Sequence, residues 1–128
     1  MKDLIPYLVF PGTCREAMEF YRDVLNGEIT LMQTFGDAPM EVPETLQNRI
    51  FNSELKAGGI HFKASDDLPG HDVKLGTNIS LYTVFPDKTS KEAAFNKLSE
   101  GGKVLFPLDD NFGMLKDKYN VQWMLVSE

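Results

Sequence analysis

The amino-acid sequence predicts an α+β protein built from two tandem βαβββ modules, and two observations carry that prediction. The first is an internal repeat: Val9–Gly27, VFPGTCREAMEFYRDVLNG, is answered by Val84–Gly102, VFPDKTSKEAAFNKLSEGG. Val-Phe-Pro returns after 75 residues, Thr-x-x-Glu-Ala after 76 (Thr13 and Thr89), and a helix-terminal glycine after 75 (Gly27 and Gly102). The second is that three strand-like segments follow each copy. Each half therefore reads strand, helix, then three strands.

Residues 4–10, LIPYLVF, have strand composition, and Pro6 removes one ladder donor from them. Pro11-Gly12 breaks the strand. Thr13 stands three residues before Glu16, which predicts a capping box in which each side chain satisfies the other's backbone amide. Ala17, Phe20, Tyr21, Val24 and Leu25 follow at helical spacing as one apolar face, and Asn26-Gly27 supplies a left-handed stop. Glu28 to Phe35 reads as a strand. Residues 36–48 are too long for a tight hairpin and too turn-rich for a helix, so they predict a flap or a mobile surface loop.

In residues 49–57, Phe51, Ser53, Leu55 and Ala57 alternate with Ile50, Asn52, Glu54 and Lys56. Gly58-Gly59 makes a hairpin turn. In residues 60–65, Ile60, Phe62 and Ala64 alternate with His61, Lys63 and Ser65. The polar stretch 66–76 suits a hinge between the halves.

The second half opens with a strand over Asn78 to Phe85, which Pro86 stops. Thr89 and Glu92 repeat the capping box, Ala94, Phe95 and Leu98 give the apolar face, and Gly101-Gly102 ends the helix. Lys103 to Phe106, Phe112 to Asp117 and Val121 to Ser127 are the last strands. In the final one Trp123 and Leu125 oppose Gln122, Met124 and Val126, which assigns Trp123 to helix-facing core. The expectation is a single domain over residues 1–128, with modules of about 1–66 and 77–128. One helix covers one face of each short sheet, and the two free faces would curve around a shared cleft. Exposed sheet edges also suit a homodimer.

Composition narrows the function classes. With 42% apolar and 25% charged residues, the 128-residue chain is an ordinary globular domain. Nineteen acidic residues against 13 basic ones, a net charge of -6, leave no basic patch for a nucleic-acid backbone. Apolar runs reach only four to five residues, far short of a membrane span. A single cysteine rules out an intrachain disulfide. Together with the lack of an apolar leader, it points to the cytoplasm.

Particular residues carry a family resemblance over nearly the whole chain. They are Pro6-Tyr7-Leu8-x-Phe10, Arg15-Glu16-Ala17 with Phe20-Tyr21, Gly27-Glu28-Ile29, Glu54-Leu55 and Ser65-Asp66-Asp67. Further on come Asn78-x-Ser80-Leu81, Leu98-x-x-Gly101-Gly102-Lys103-Val104, Phe112-Gly113 and Trp123-Met124. In order and spacing the chain resembles the vicinal-oxygen-chelate superfamily of glyoxalase I, bleomycin-resistance proteins and extradiol dioxygenases. Within it the chain looks like the PhnB-like branch. The resemblance implies a glyoxalase-like fold, with a curved mixed sheet around a cleft.

Metal-dependent members of the superfamily hold a divalent ion with His or Glu from the first and last strand of each half. The resemblance places those positions on Pro6, on Asn78 or Ser80, and on Met124, none of which suits such an ion. Close relatives commonly carry His where this chain has Asn52, and the fourth-strand candidate is His61 or Lys63. The expectation is therefore no standard metal site and no cofactor. Members of the branch are often labelled as methyltransferases, but no glycine-rich strand-helix turn with an acidic partner is present to hold a nucleotide cofactor.

On that basis Glu54 and His61 are the candidate catalytic pair, since His titrates near working pH and burial can tune Glu. Leu8, Phe10, Asn52, Ser80, Tyr82 and Met124 are the candidate ligand-binding residues of the cleft. Cys14 lies in the first helical turn without a basic partner and reads as incidental. His71 reads as a surface residue. Asp66, Asp67, Asp72, Asp109 and Asp110 follow no EF-hand pattern and read as solvated turn residues. The expected function is cytoplasmic binding of a small, partly apolar molecule by a homodimer, with no standard metal. The alternative is a lyase or isomerase, either metal-dependent with non-standard ligands or using Glu54 and His61.

Overall fold

Proline sets where the first strand begins. The carbonyl of Pro6 accepts from Lys63 N at 2.9 Å, yet the ladder proper starts one residue later. In the computed structural model, which describes residues 1–128, the chain forms two units, Met1–Val73 and Lys74–Glu128.

The first unit contains β1 (Tyr7–Phe10), α1 (Cys14–Leu25), β2 (Glu28–Thr34), β3 (Ile50–Ala57) and β4 (Ile60–Asp66). Its sheet runs β1-β4-β3-β2, with β1 parallel to β4 and the other pairs antiparallel. The second contains β5 (Leu81–Phe85), α2 (Lys88–Leu98), β6 (Lys103–Phe106), β7 (Gly113–Lys116) and β8 (Gln122–Ser127). Its order is β5-β8-β7-β6, again with one parallel pair, β5 with β8. Both units are thus βαβββ modules with mixed four-stranded sheets, as the repeat predicts.

In the first unit α1 covers one sheet face with Ala17, Met18 and Tyr21, all fully buried. Tyr21 meets Phe10 at 6.5 Å and Phe62 at 5.8 Å between ring centroids. Burying each such ring stabilises by about 1.5–3 kcal/mol, so this aromatic cluster fixes the helix on the sheet. In the second unit Trp123, Leu115 and Leu125 are fully buried with Leu98 of α2, and Trp123 Nε1 donates to Asp117 Oδ2 at 2.8 Å.

Both helix starts differ from the predicted capping boxes. Thr13 precedes α1 with φ -107° and ψ 13°, and its side chain makes no cap bond. The donor is taken instead by Asp66, 52 residues away on β4, which accepts from Cys14 N at 2.9 Å and from Ile50 N at 2.8 Å. In the second unit the helix begins at Lys88, so Thr89 lies inside it. The extended Asp87 is the cap, accepting from Ser90 N at 2.7 Å.

Two strands are shorter than their composition suggests. β1 starts at Tyr7 and β5 at Leu81. Before β5, the amide of Gln122 donates to the carbonyls of Thr77 and Ile79 at 3.0 and 3.2 Å. A side chain thus does there what a neighbouring strand would do. Residues 36–48 form a loop closed at its neck by Phe35 N to Arg49 O and Gly36 N to Gln47 O, both 2.9 Å. No helix is long and apolar enough to cross a membrane.

Candidate functional site

Because side chains alternate along a strand, each sheet has a face that its own helix does not cover. In the first unit Phe10, Ser53, Leu55, Phe62 and Ala64 are buried towards α1, leaving Tyr7, Val9, Glu54, His61, Lys63 and Ser65 on the opposite face. One parity expectation is overturned here. Leu8 and Phe10 fall on the helix side, with Phe10 only 1% exposed and stacked near Tyr21, while Tyr7 and Val9 face outward. A β-bulge corrects a second one. Gln33 pairs with Asn52 but Thr34 with Ile50, so Phe51 is the extra residue. Ile50 turns inward and is fully buried, and Phe51 turns outward beside Asn52.

On this outer face the structure brings Glu54 and His61 together: Nε2 of His61 lies 2.9 Å from Glu54 Oε2. The other Glu54 oxygen accepts from Thr30 Oγ1 at 2.7 Å. Thr30 is the extra residue of a second bulge, between the pairs Ile29–Leu55 and Leu31–Glu54, and no local sequence signal marks it. These hydrogen bonds, Thr30 first and His61 second, pull the Glu54 carboxyl from 4.5 down to about 2. At neutral pH Glu54 is therefore an anion that orients the imidazole, with Nε2 as donor. Glu54 acts in the pair as acceptor only, and the imidazole supplies the N–H.

Asn52 lies on the same face. Its Oδ1 is buried and accepts no hydrogen bond from another group of the protein.

A cavity of about 370 Å³ opens on this face at the end of β1 and β4. Tyr7, Val9, Phe35 and Phe51 wall it, with Phe35 and Phe51 edge to face at 5.6 Å. Ser65 and His71 add polar edges, so His71, exposed as expected, also borders a cavity. Asp66 and Asp67 form part of the lining and are not solvated turn residues, being 4% and 8% exposed. Both oxygens of Asp66 are held by backbone amides, and Asp67 pairs with Arg49 at 2.8 Å.

In the second unit Tyr82 stands opposite Met124 across the β5–β8 pair, on the face away from Trp123, and is 62% exposed. Ser80 lies just before β5, where its hydroxyl accepts from Gln122 Nε2 at 3.2 Å. Nothing in the sequence pattern marked Lys91, which is 2% exposed with its ammonium donating to the carbonyls of Asp109 and Asp110 at 3.1 and 3.0 Å. It ties α2 to the turn before β7.

Within the chain no group of three or more His, Cys, Asp or Glu side chains is arranged to hold a metal. Glu54 and His61 supply two donors. Pro6, Ser80 and Met124 do not complete a site for a hard or borderline divalent ion. The residues present do not fit the superfamily's metal.

Two tandem βαβββ modules, each with a helix on one sheet face and its polar candidates on the other, define the glyoxalase and bleomycin-resistance class of fold, the vicinal-oxygen-chelate superfamily. The chain belongs to the PhnB-like family within it: the family model described as 3-demethylubiquinone-9 3-methyltransferase matches residues 2–126. Protein YjdN of Escherichia coli K12 is 25% identical over 140 residues, covering 95% of this chain and 92% of its own length. The crystal structure of protein PA1353 from Pseudomonas aeruginosa superimposes with a TM-score of 0.92 at 34% identity, covering 100% of this chain and 98% of that one. A PhnB protein from Bacillus cereus gives a TM-score of 0.83 at 25% identity, covering 99% and 100%.

Proposed function

We propose that this chain binds a small, partly apolar molecule on the outer face of its first sheet, without a standard metal site. The observation that carries the reading is the cavity of about 370 Å³ walled by Tyr7, Val9, Phe35 and Phe51, on the face that also holds Asn52, Glu54 and His61. An apolar wall with a few convergent polar groups is what a small organic ligand requires. On the second sheet Tyr82 and Met124 offer a similar mixture of apolar surface and hydroxyl. Leu8 and Phe10 have no direct part in this reading, and Ser80 acts through its bond to Gln122. A fragment screen followed by amide chemical shifts tests it. Shifts clustering on Val9, Phe51, Asn52 and His61 support the reading, and hits that spare this face refute it.

The reading also has the chain acting as a homodimer in the cytoplasm. Support for the dimer comes from Tyr82, Val84 and Phe106 on the second sheet, 62%, 57% and 57% exposed, which is costly apolar surface for a monomer. Light scattering at micromolar concentration giving one chain mass would end that part of the reading.

A second reading is an enzyme of the lyase or isomerase type, and the Glu54–His61 hydrogen bond favours it. In it His61 moves the proton and Glu54 holds the ring. Elemental analysis of protein prepared without chelator separates the metal-dependent version from the metal-free one. The methyltransferase named for the matched family is not adopted, because no glycine-rich strand-helix turn with an acidic partner offers a nucleotide-type cofactor site.

A further inference from the structure

Resting on the binding reading above, we infer that His71 is a ligand-binding residue and that the ligand is an uncharged ring compound bearing a carbonyl. Its ring sits in the first-unit cavity and its oxygen accepts from the His71 imidazole at the rim. The cavity walls are rings and branched carbons, Tyr7, Val9, Phe35, Phe51 and Leu68, and the edge-to-face pair of Phe35 and Phe51 offers a surface for a planar ring.

His71 borders the cavity because the backbone carries it there. Asp67 N donates to the Phe10 carbonyl at 2.8 Å, which fixes the chain as it leaves β4. Leu68-Pro69-Gly70-His71 then folds back, with Gly70 at φ 80° and His71 N donating to the Leu68 carbonyl at 2.9 Å, the turn that Pro-Gly favours. Asp67 Oδ2 accepts from Val73 N at 3.2 Å on the far side. The turn is tied down at both ends, and both of its arms, Leu68 and His71, line the cavity.

The polar lining divides into closed groups and open ones. Asp66 accepts from Cys14 N and Ile50 N, and Asp67 from Arg49 and Val73 N, so each carboxylate oxygen already has a donor. A cationic ligand finds no free oxygen there. An anionic one meets two carboxylates against the single guanidinium of Arg49. The side chains of Tyr7, Ser65 and His71 bond to no other protein group. Each of them can donate, the imidazole in either tautomer. A carbonyl needs only a donor, so a neutral ring carbonyl uses what the lining leaves open. His71 is the one open donor outside the strands, set at the rim by its own turn.

The test uses three probes of nearly one shape against the full chain, read by amide chemical shifts: 2-acetonaphthone, 2-isopropylnaphthalene and 2-naphthoate. At pH 7 the first is neutral with a carbonyl, the second is neutral without an acceptor, and the third is an anion. The expected result is saturable 2-acetonaphthone binding that shifts Val9, Phe51 and Leu68. The other two should bind about tenfold more weakly. His71→Leu should bring 2-acetonaphthone down to the 2-isopropylnaphthalene level and leave the latter unchanged. Val9→Trp, which fills the cavity from an outward-facing position, should abolish all three. Circular dichroism melting confirms that both variants fold.

Equal affinity for the first two probes overturns the inference while leaving small-molecule binding at this face standing. So does an unchanged 2-acetonaphthone affinity in His71→Leu, or an equal loss of both neutral probes there. No shift from any probe on the outer face counts against both.

Discussion

Glu54 and His61 sit on neighbouring antiparallel strands two residues out of direct register, and their side chains close the diagonal with a hydrogen bond of 2.9 Å. The diagonal exists because Lys63, not His61, pairs with Glu54 across β3 and β4. It leaves the second carboxylate oxygen free for Thr30 on the other side. One carboxylate is thus held by two strands at once.

That arrangement predicts a titration. The Glu54 carboxyl should titrate near 2 rather than 4.5, with Thr30 the larger cause and His61 the smaller. A folded-state value below the unfolded one means that the pair stabilises fully above about pH 4.5. The contribution is lost as pH falls towards 2. Carboxyl-carbon NMR should give the low midpoint in the native chain. Thr30→Val should move it back towards 4.5 by more than His61→Ala does. The reverse order would show that His61 dominates.

Asp66 predicts a sharp contrast in stability. Its two oxygens hold the first amide of α1 and the first amide of β3, so one 4%-exposed carboxylate at the end of β4 ties that strand to α1 and β3. Asp66→Ala leaves two buried amides unpaired and should cost about 3 kcal/mol in urea unfolding. Thr13→Ala should change stability by less than about 0.5 kcal/mol, because Thr13 caps nothing. Equal losses in the two variants would mean that Thr13 does cap the helix in solution.

These cases show what the sequence made legible. Period-two alternation and Gly/Pro punctuation located all eight strands and both helices, and Trp123 fell on the covered face as its parity required. The departures have separate physical causes. A bulge has no composition signature, so Phe51 and Ile50 exchanged faces and Thr30 went unnoticed. A cap supplied by Asp66 over 52 residues is invisible to a search for Thr-x-x-Glu. Alternation in β1 gives no signal for which face Leu8 and Phe10 take, because the strand is only four residues long with apolar side chains on both faces. Local chemistry writes the elements, whereas the side facing a ligand depends on pairing.

The repeated glycine has a physical reason that can be tested in both units. The left-handed turn after each helix is taken by Asn26, φ 54°, and Gly101, φ 73°, one residue before the repeated Gly27 and Gly102. Those two are needed for closeness. A Cβ on Gly27 would lie 2.9 Å from the Lys56 carbonyl oxygen, and one on Gly102 would collide with the Lys116 carbonyl oxygen. Gly27→Ala and Gly102→Ala should each destabilise by about 1–3 kcal/mol, with Gly102 the worse. Gly101→Asn, which keeps a residue tolerant of positive φ, should cost less than either. Guanidinium unfolding of the three variants checks the order.

Cys14 completes the first-unit core, and its chemistry follows from where it sits. The thiol is fully buried, 3.6 Å from the Ser53 hydroxyl. Burial is the main cause that pushes its pKa from 9.0 up to about 12, outweighing any pull from the start of α1. The native chain should therefore hold almost no thiolate at pH 8, and an aromatic disulfide reagent should label it only as fast as the first unit opens. Labelling should accelerate in parallel with unfolding across a urea series. A rate in native buffer that matches a free thiol would show that Cys14 is reachable and that the covered face of the sheet is not closed.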